Sequence, residues 1–318
     1  MTFGQQKANE TRMVIKMIFD TAEYTAPGGH EVNEDSILRL DSKGIFAVAD
    51  GLGGHTSGEV ASAAAVKYIT KNFSGVYDEK SISELLEGAN RYVTENGGGG
   101  KTTIAAAFAD KDVFIPVNAG DSRVYYFRDG RIIFISKDHS VCRASVDMGM
   151  MSFEDIRGSD DRCRLLKVLG SSEQLGAKCA APIKMQSGDA FLICSDGFWE
   201  YVLEGEMEAD LLKSETPEKW LQYMLKRHIL RAKNTGDNYS AVCGFIRSDE
   251  DKAVAAPKRS LLLPIILLLL TAALILAAGS MLMHRSESEL TLGASGEAAS
   301  ADTSYEETVS ILSSVSYI

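Results

Sequence analysis

Short apolar runs punctuated by turn residues dominate the first 248 positions. RMVIKMIF (12–19), IFAVA (45–49), TTIAAAFA (102–109), VFIPVNA (113–119), RVYYF (123–127), RIIFI (131–135), AFLIC (190–194) and SAVCGFI (240–246) have the length and the β-branched and aromatic content of strands. The pair RVYYF and RIIFI is joined by a loop whose Asp129-Gly130 supplies a hairpin turn. Longer stretches at about 56–72, 81–95 and 217–232 carry helical periodicity, and each begins near a Thr or Ser that can cap exposed N–H groups. Strands joined by hairpins build antiparallel sheets, and the helices must cover their outer faces. The expected class is α+β.

One segment breaks this pattern. Residues 261–283, LLLPIILLLLTAALILAAGSMLM, are 23 consecutive residues without a charge and without a polar stripe. As a helix they span roughly 34 Å, enough for a hydrocarbon core of about 30 Å. The reading is therefore a body at 1–248, a linker at 249–260, a transmembrane helix at 261–283 and a polar acidic tail at 284–318 that stays solvated. The N-terminus MTFGQQKANE has no apolar leader. Lys258 and Arg259 before the apolar segment, with Arg285 alone after it, lean toward a single-pass protein of the cell membrane with a cytoplasmic body.

Composition narrows the chemistry. With 33 Lys and Arg against 44 Asp and Glu, the net charge of −11 argues against a nucleic-acid partner, which would demand many cationic phosphate contacts. Cys142, Cys163, Cys179, Cys194 and Cys243 form an odd set without C-x-x-C spacing, so neither a disulfide scaffold nor a zinc ribbon is expected. No cysteine has Arg six residues on, and no G-x-S-x-G is present; cysteine and serine nucleophile motifs are thus missing. GGGGKTT (97–103) imitates a phosphate-binding P-loop. Position 95 is Glu where the motif requires Gly, and the run leads from a helix into a strand rather than the reverse.

What remains is a set of acids at strand ends. IFAVA runs into Asp50-Gly51, VFIPVNAG into Asp121-Ser122, and AFLIC into Ser195-Asp196-Gly197. Asp237 stands just before the last strand, and Asn33-Glu34-Asp35 precedes another apolar stretch. Any one Asp-Gly pair is best read as a turn. Several carboxylates on rigid strand ends can converge, and clustered carboxylates repel unless cations neutralise them. Oxygen donors without grouped His or Cys select hard ions, Mn²⁺ or Mg²⁺.

With these residues in view, the chain resembles the metal-dependent serine/threonine protein phosphatases of type 2C. NED (33–35), ADGLGGH (49–55), GKTT (100–103), NAGDSR (118–123), KDHS (137–140), LG (169–170), SDGFW (195–199) and GDNYSAV (236–242) occur in the family's order across residues 12–246. The resemblance implies a four-layer α-β-β-α sandwich of two antiparallel sheets, to which the C-terminal transmembrane helix is added. It also implies two metal ions per site. Asp50 bridges them, Glu34 and the Gly51 carbonyl ligate one, Asp196 and Asp237 the other, and Asp121 with Asp196 holds a third ion in bacterial members. Asp35 is then the catalytic acid that orients the attacking water alongside Asp50, and Asn238 sits beside the cluster. A flap is expected at about 139–165, with a gap-filling packed loop containing VDMGMMS as the equal alternative.

The implied reaction is hydrolysis of phosphoserine and phosphothreonine by a hydroxide bridging the two ions, in opposition to a protein kinase. Phosphoprotein substrates would include a membrane protein kinase or its targets. Two positions depart from the family pattern. His30 stands where a phosphate-binding Arg is common, so His30 either binds phosphate or is a surface loop residue. Leu52 stands where animal members often carry His. The alternative function is a catalytically weak or silent phosphoprotein-binding module, which the departure at His30 keeps open.

Overall fold

The strands carry large apolar residues at both parities, and the reason is that both faces of each sheet are covered. In the computed structural model, which describes residues 16–53, 57–233 and 235–249, β3 (Ile45–Leu52) points Ile45, Ala47 and Ala49 into one core and Phe46 and Val48 into another. The same alternation divides β7 (Arg123–Arg128), with Tyr125 and Phe127 on one side and Val124 and Tyr126 on the other. A period of two with apolar residues at every position requires three cores. The inner core lies between the two sheets, centred on Phe46, Phe114, Tyr126 and Phe191. The outer cores lie beneath α1 (Ser57–Asn72) and α2 (Glu79–Asn96) on one side, and beneath α6 (Pro217–Ala232) on the other.

All strand pairings are antiparallel. One sheet runs β1 (Met17–Ala26), β11 (Tyr239–Ser248), β10 (Ala190–Cys194), β7, β8 (Arg131–Ile135). The other runs β2 (Asp35–Leu40), β3, β5 (Ile104–Asp110), β6 (Val113–Ala119), β9 (Ile183–Lys184), with β4 (Lys101–Thr102) pairing separately with β3. Two antiparallel sheets flanked by helices are the expected α+β architecture.

Most predicted elements hold within a residue or two, and the differences have physical causes. β1 runs on to Ala26 because its alternating small and polar residues need only one covered face at a sheet edge; residues 12–15 of the predicted strand lie outside the described residues. The run 102–109 is broken at Thr103, whose N–H turns to the Asp50 carbonyl. β3 continues through Asp50-Gly51 to Leu52, so this pair is not a turn. Asp78 caps α2, accepting from Ser81 N at 2.8 Å, where a Ser or Thr cap was expected. The hairpin between β7 and β8 turns at Asp129-Gly130, both at positive φ, as the sequence predicts. GGGGKTT caps the end of α2 with Gly97, turns, and enters β4; it makes no P-loop.

Segment 139–165 holds α3 (Val141–Asp147) and a short 3-10 turn (Glu154–Gly158). It is tied down by Val141 N to Arg164 O at 2.9 Å and by Arg157 to Glu204 at 2.5 Å. Met151 and Phe153 pack on the core, whereas Met148 and Met150 are exposed and fill no gap. The expected linker beyond Asp249, transmembrane helix 261–283 and tail lie outside the described residues. Among the described residues, no helix is long and apolar enough to cross a membrane.

Candidate active site

The two sheets bring their acids together at one edge. β2 and β3 are in register such that Asp35 faces Asp50 directly across the strands. Asp50 is anchored through its backbone, accepting from Thr103 N and Thr102 Oγ1 at 2.8 Å each and donating to Thr103 Oγ1 at 3.0 Å. Asp196 begins the single turn α4 (Asp196–Trp199) where β10 ends. Asp121 follows β6, and Trp199 Nε1 donates to its carbonyl at 2.9 Å. Asp35, Asp121 and Asp196 retain only 8, 5 and 8 % of their surface.

Electrostatics identify these acids as one group. Burial, opposed by the Ser195 hydrogen bond and reinforced by Asp196 and Asp237, pushes Asp35 up to about 7. Burial also pushes Asp196 up to about 6, even though a hydrogen bond with Asp50 favours its charge. Asp50 is held well above the carboxylate range by burial and then by Asp196 and Asp35, and Asp121 by burial and then by Asp196. Among the described residues none of these four acids forms an ion pair with Lys or Arg, and Asp196 raises each of the other three.

The remaining predicted residues surround them. Asn238, itself buried, accepts from Glu34 N at 2.7 Å and donates to Pro27 O and Val32 O at 2.8 and 3.1 Å. Gly51 N donates to the Glu34 carbonyl at 3.1 Å, and a Cβ on Gly51 would stand 2.2 Å from the Gly58 carbonyl oxygen, so only glycine fits there. Asp237 is more exposed, with His30 Nε2 3.2 Å from its Oδ1.

This donor set fits divalent cations: it is all oxygen, it repels itself, and Asp35 Oδ1 is a buried acceptor with no hydrogen-bond partner among the described residues. As the side chains stand, Asp196 Oδ1 accepts from Gly197 N at 2.6 Å and Asp237 Oδ1 from Asn238 N at 2.8 Å. Among the described residues, no three His, Cys, Asp or Glu side chains enclose an ion position by themselves. Part of any coordination shell would therefore come from carbonyl oxygen and water.

Residues 28–234 match the protein phosphatase 2C family. The chain belongs to that family. It is a serine/threonine phosphatase of the 2C type. The serine/threonine phosphatase Stp of Listeria welshimeri is 32% identical to it over 201 residues, 58% of this chain and 78% of that one. The structure of the phosphatase MsPP from Mycobacterium smegmatis, in complex with cacodylate, superposes with a TM-score of 0.61 at 29% identity, covering 72% of this chain and 98% of that one. The catalytic domain of PstP in complex with two manganese ions gives a TM-score of 0.63 at 24% identity over 73% of this chain and 99% of that one, a likeness of fold.

Within this 2C-type phosphatase, sequence reading missed the residues that hold the acids in place. Ser195 donates to Asp35 Oδ2 at 2.9 Å and accepts from Ser240 N at 2.9 Å, coupling β10 and β11 to β2. His228, buried on α6, meets the Gly197 carbonyl at 2.8 Å and so sets the turn carrying Asp196. Ser195 lay in a quoted motif, SDGFW, without an assigned role. His228 had no local signal, because its target is thirty-one residues away in sequence.

Proposed function

We propose that this phosphatase hydrolyses phosphoserine and phosphothreonine in proteins using Mn²⁺ or Mg²⁺ held by the acids at the sheet edge. The observation that carries the reading is the self-repelling group of buried Asp35, Asp121 and Asp196 with half-buried Asp50, none of which has a Lys or Arg ion-pair partner among the described residues. Asp50, Glu34 and the Gly51 carbonyl would hold one ion, Asp50, Asp196 and Asp237 a second, and Asp121 with Asp196 would offer a third position. Bound divalent ions supply charge neutralisation for the phosphoryl group and make water acidic enough to attack near neutral pH. Asp35 accepts that water's proton at its unpartnered Oδ1, while Ser195 keeps the other oxygen occupied and the carboxyl fixed.

A cellular role follows from the apolar segment 261–283. In this reading the enzyme is tethered to the cell membrane with its catalytic body cytoplasmic and acts on phosphoproteins near the bilayer, including a membrane protein kinase or its targets. Tethering raises effective concentration toward such substrates.

The test of chemistry is hydrolysis of p-nitrophenyl phosphate and of a phosphothreonine peptide by the full chain, with Mn²⁺ and with EDTA. Turnover with Mn²⁺ that EDTA abolishes is expected. Phosphopeptide binding without turnover in Mn²⁺ would instead support the silent binding module. Tethering is tested by fractionating cells that express the full chain: recovery in the salt-washed membrane fraction is expected, and recovery in the soluble fraction refutes it.

A further inference from the structure

The loop before the NED motif is attached to the metal-ligand loop in a way the phosphate-binding expectation for His30 does not require. Gly29 N donates to Gly236 O at 2.8 Å, His30 N donates to Pro27 O at 3.0 Å, and Asn238 Nδ2 donates to the same Pro27 carbonyl at 2.8 Å. Gly28, at φ +60°, lies so close that an added Cβ would be 2.2 Å from the Asp237 carbonyl oxygen. These contacts fix the turn Pro27–His30 to the backbone of Gly236–Asn238. The His30 ring is thereby delivered to one oxygen of Asp237, with Nε2 3.2 Å from Oδ1. That same Oδ1 already accepts from Asn238 N at 2.8 Å. The Asn238 N–H and the His30 ring thus converge on one oxygen.

We propose that His30 is a positioning residue for Asp237. Its ring, with Nε2 3.2 Å from Oδ1, and the Asn238 N–H restrain that oxygen, so that Oδ2 would be the one available to a cation. This inference rests on the reading that Asp237 is a metal ligand. It reassigns His30 from substrate phosphate to the carboxylate. The physical need is clear: Asp237 and His30 side chains are each 59 % exposed, so without an outer donor the Asp237 carboxylate could rotate away from the site at little cost. Outer-shell donors of this type change metal affinity by about 10–100-fold when removed. An Arg at this position would present a permanent charge and a two-pronged fork to phosphate; an imidazole held 3.2 Å from a carboxylate oxygen does not.

The experiment is calorimetric titration of Mn²⁺ into the metal-stripped full chain in detergent micelles, for wild type, His30→Ala, His30→Gln and Asp237→Asn, paired with KM for a phosphopeptide at saturating Mn²⁺. His30→Ala is expected to weaken one Mn²⁺ by about 10-fold, the affinity that Asp237→Asn weakens further. His30→Gln, whose amide N–H can replace Nε2–H, should recover to within about 3-fold of wild type, with KM unchanged throughout. Unchanged Mn²⁺ affinity in His30→Ala together with a raised KM would overturn the assignment and return His30 to the phosphate. If wild type itself binds no Mn²⁺, the metal reading fails along with this one, a result distinct from intact wild-type binding that is insensitive to His30.

Discussion

Among the described residues, buried carboxylates are treated in two opposite ways. Asp138 lies inside the body against Arg123, both side chains 1 % exposed, with a two-pronged contact of 2.9 Å from Nε and 2.7 Å from Nη2. The Arg123 guanidinium also stacks 3.6 Å over the Trp199 ring, and Tyr125 Oη lies 3.2 Å from Nη1. Asp189 is satisfied likewise by Arg128, at 2.9 and 2.7 Å, and by Tyr126 Oη at 2.7 Å. At the sheet edge, Asp35, Asp121 and Asp196 are buried together with a half-buried Asp50 and without an Arg or Lys ion pair among the described residues. Internal neutralisation makes the first kind part of the scaffold; its absence makes the second kind a request for an external cation. Asp121 and Arg123 show the boundary, since one belongs to the acidic edge and the other to the paired interior.

This contrast can be broken most forcefully at Asp50. Asp50→Asn should reduce Mn²⁺-dependent turnover on the order of 10⁴-fold, about 5 kcal/mol of barrier at 1.36 per tenfold, while the metal-free protein melts no lower than wild type because a repulsion has been removed. A lowered melting temperature in EDTA would mean that Asp50 is a scaffold acid after all. At the paired site the signs reverse. Arg123→Met should destabilise the fold by about 4 kcal/mol in urea titrations by stranding Asp138, and Asp138→Leu added to it should restore most of that loss.

A third expectation concerns pH in the absence of metal. Asp35 and Asp196 are pushed up to about 7 and about 6, so in the folded metal-free chain they retain protons that the unfolded chain releases above about 4. Their contribution to stability is complete at or below that pH and is lost as pH climbs toward 7. The melting temperature in EDTA should therefore fall relative to Asp35→Asn by about 5 °C between pH 4.5 and 7.5, and Mn²⁺ should abolish the difference. A wild-type curve parallel to that of Asp35→Asn would contradict the burial of an unneutralised carboxyl. The smallest effect belongs to Ser195→Ala: loss of one hydrogen bond to Asp35 should cost about 5- to 10-fold in kcat with KM unchanged. An equal loss in kcat at pH 6 and pH 8 would show that Ser195 acts on something other than the ionisation of Asp35.

Much of this was legible in the chain because it is local. Runs of apolar residues fixed β6, β8 and β10 to the residue, and Asp129-Gly130 fixed a hairpin, since propensity and turn geometry act over a few neighbours. Segments whose burial is one-sided were harder. The part of β1 beyond Phe19 carries Asp20, Thr21, Glu23 and Thr25, and only the strand's pairing with β11 along ten residues makes it a strand. The short helices at 141–147 and 204–211 (Glu204–Leu211) also escaped, being too brief for a helical period to emerge from composition.

By itself the sequence determined which acids are candidates and in what order they occur, because carboxylates beside glycine at the ends of apolar runs mark rigid positions at a sheet edge. It also determined that no cysteine or serine nucleophile motif competes with them. Tertiary structure alone decided that Asp35 faces Asp50, that Ser195 and His228 fix the turn of Asp196, and that His30 meets Asp237. Those contacts join residues as much as 207 positions apart, and their geometry comes from sheet register and layer packing, which are collective properties that no short stretch of chain encodes.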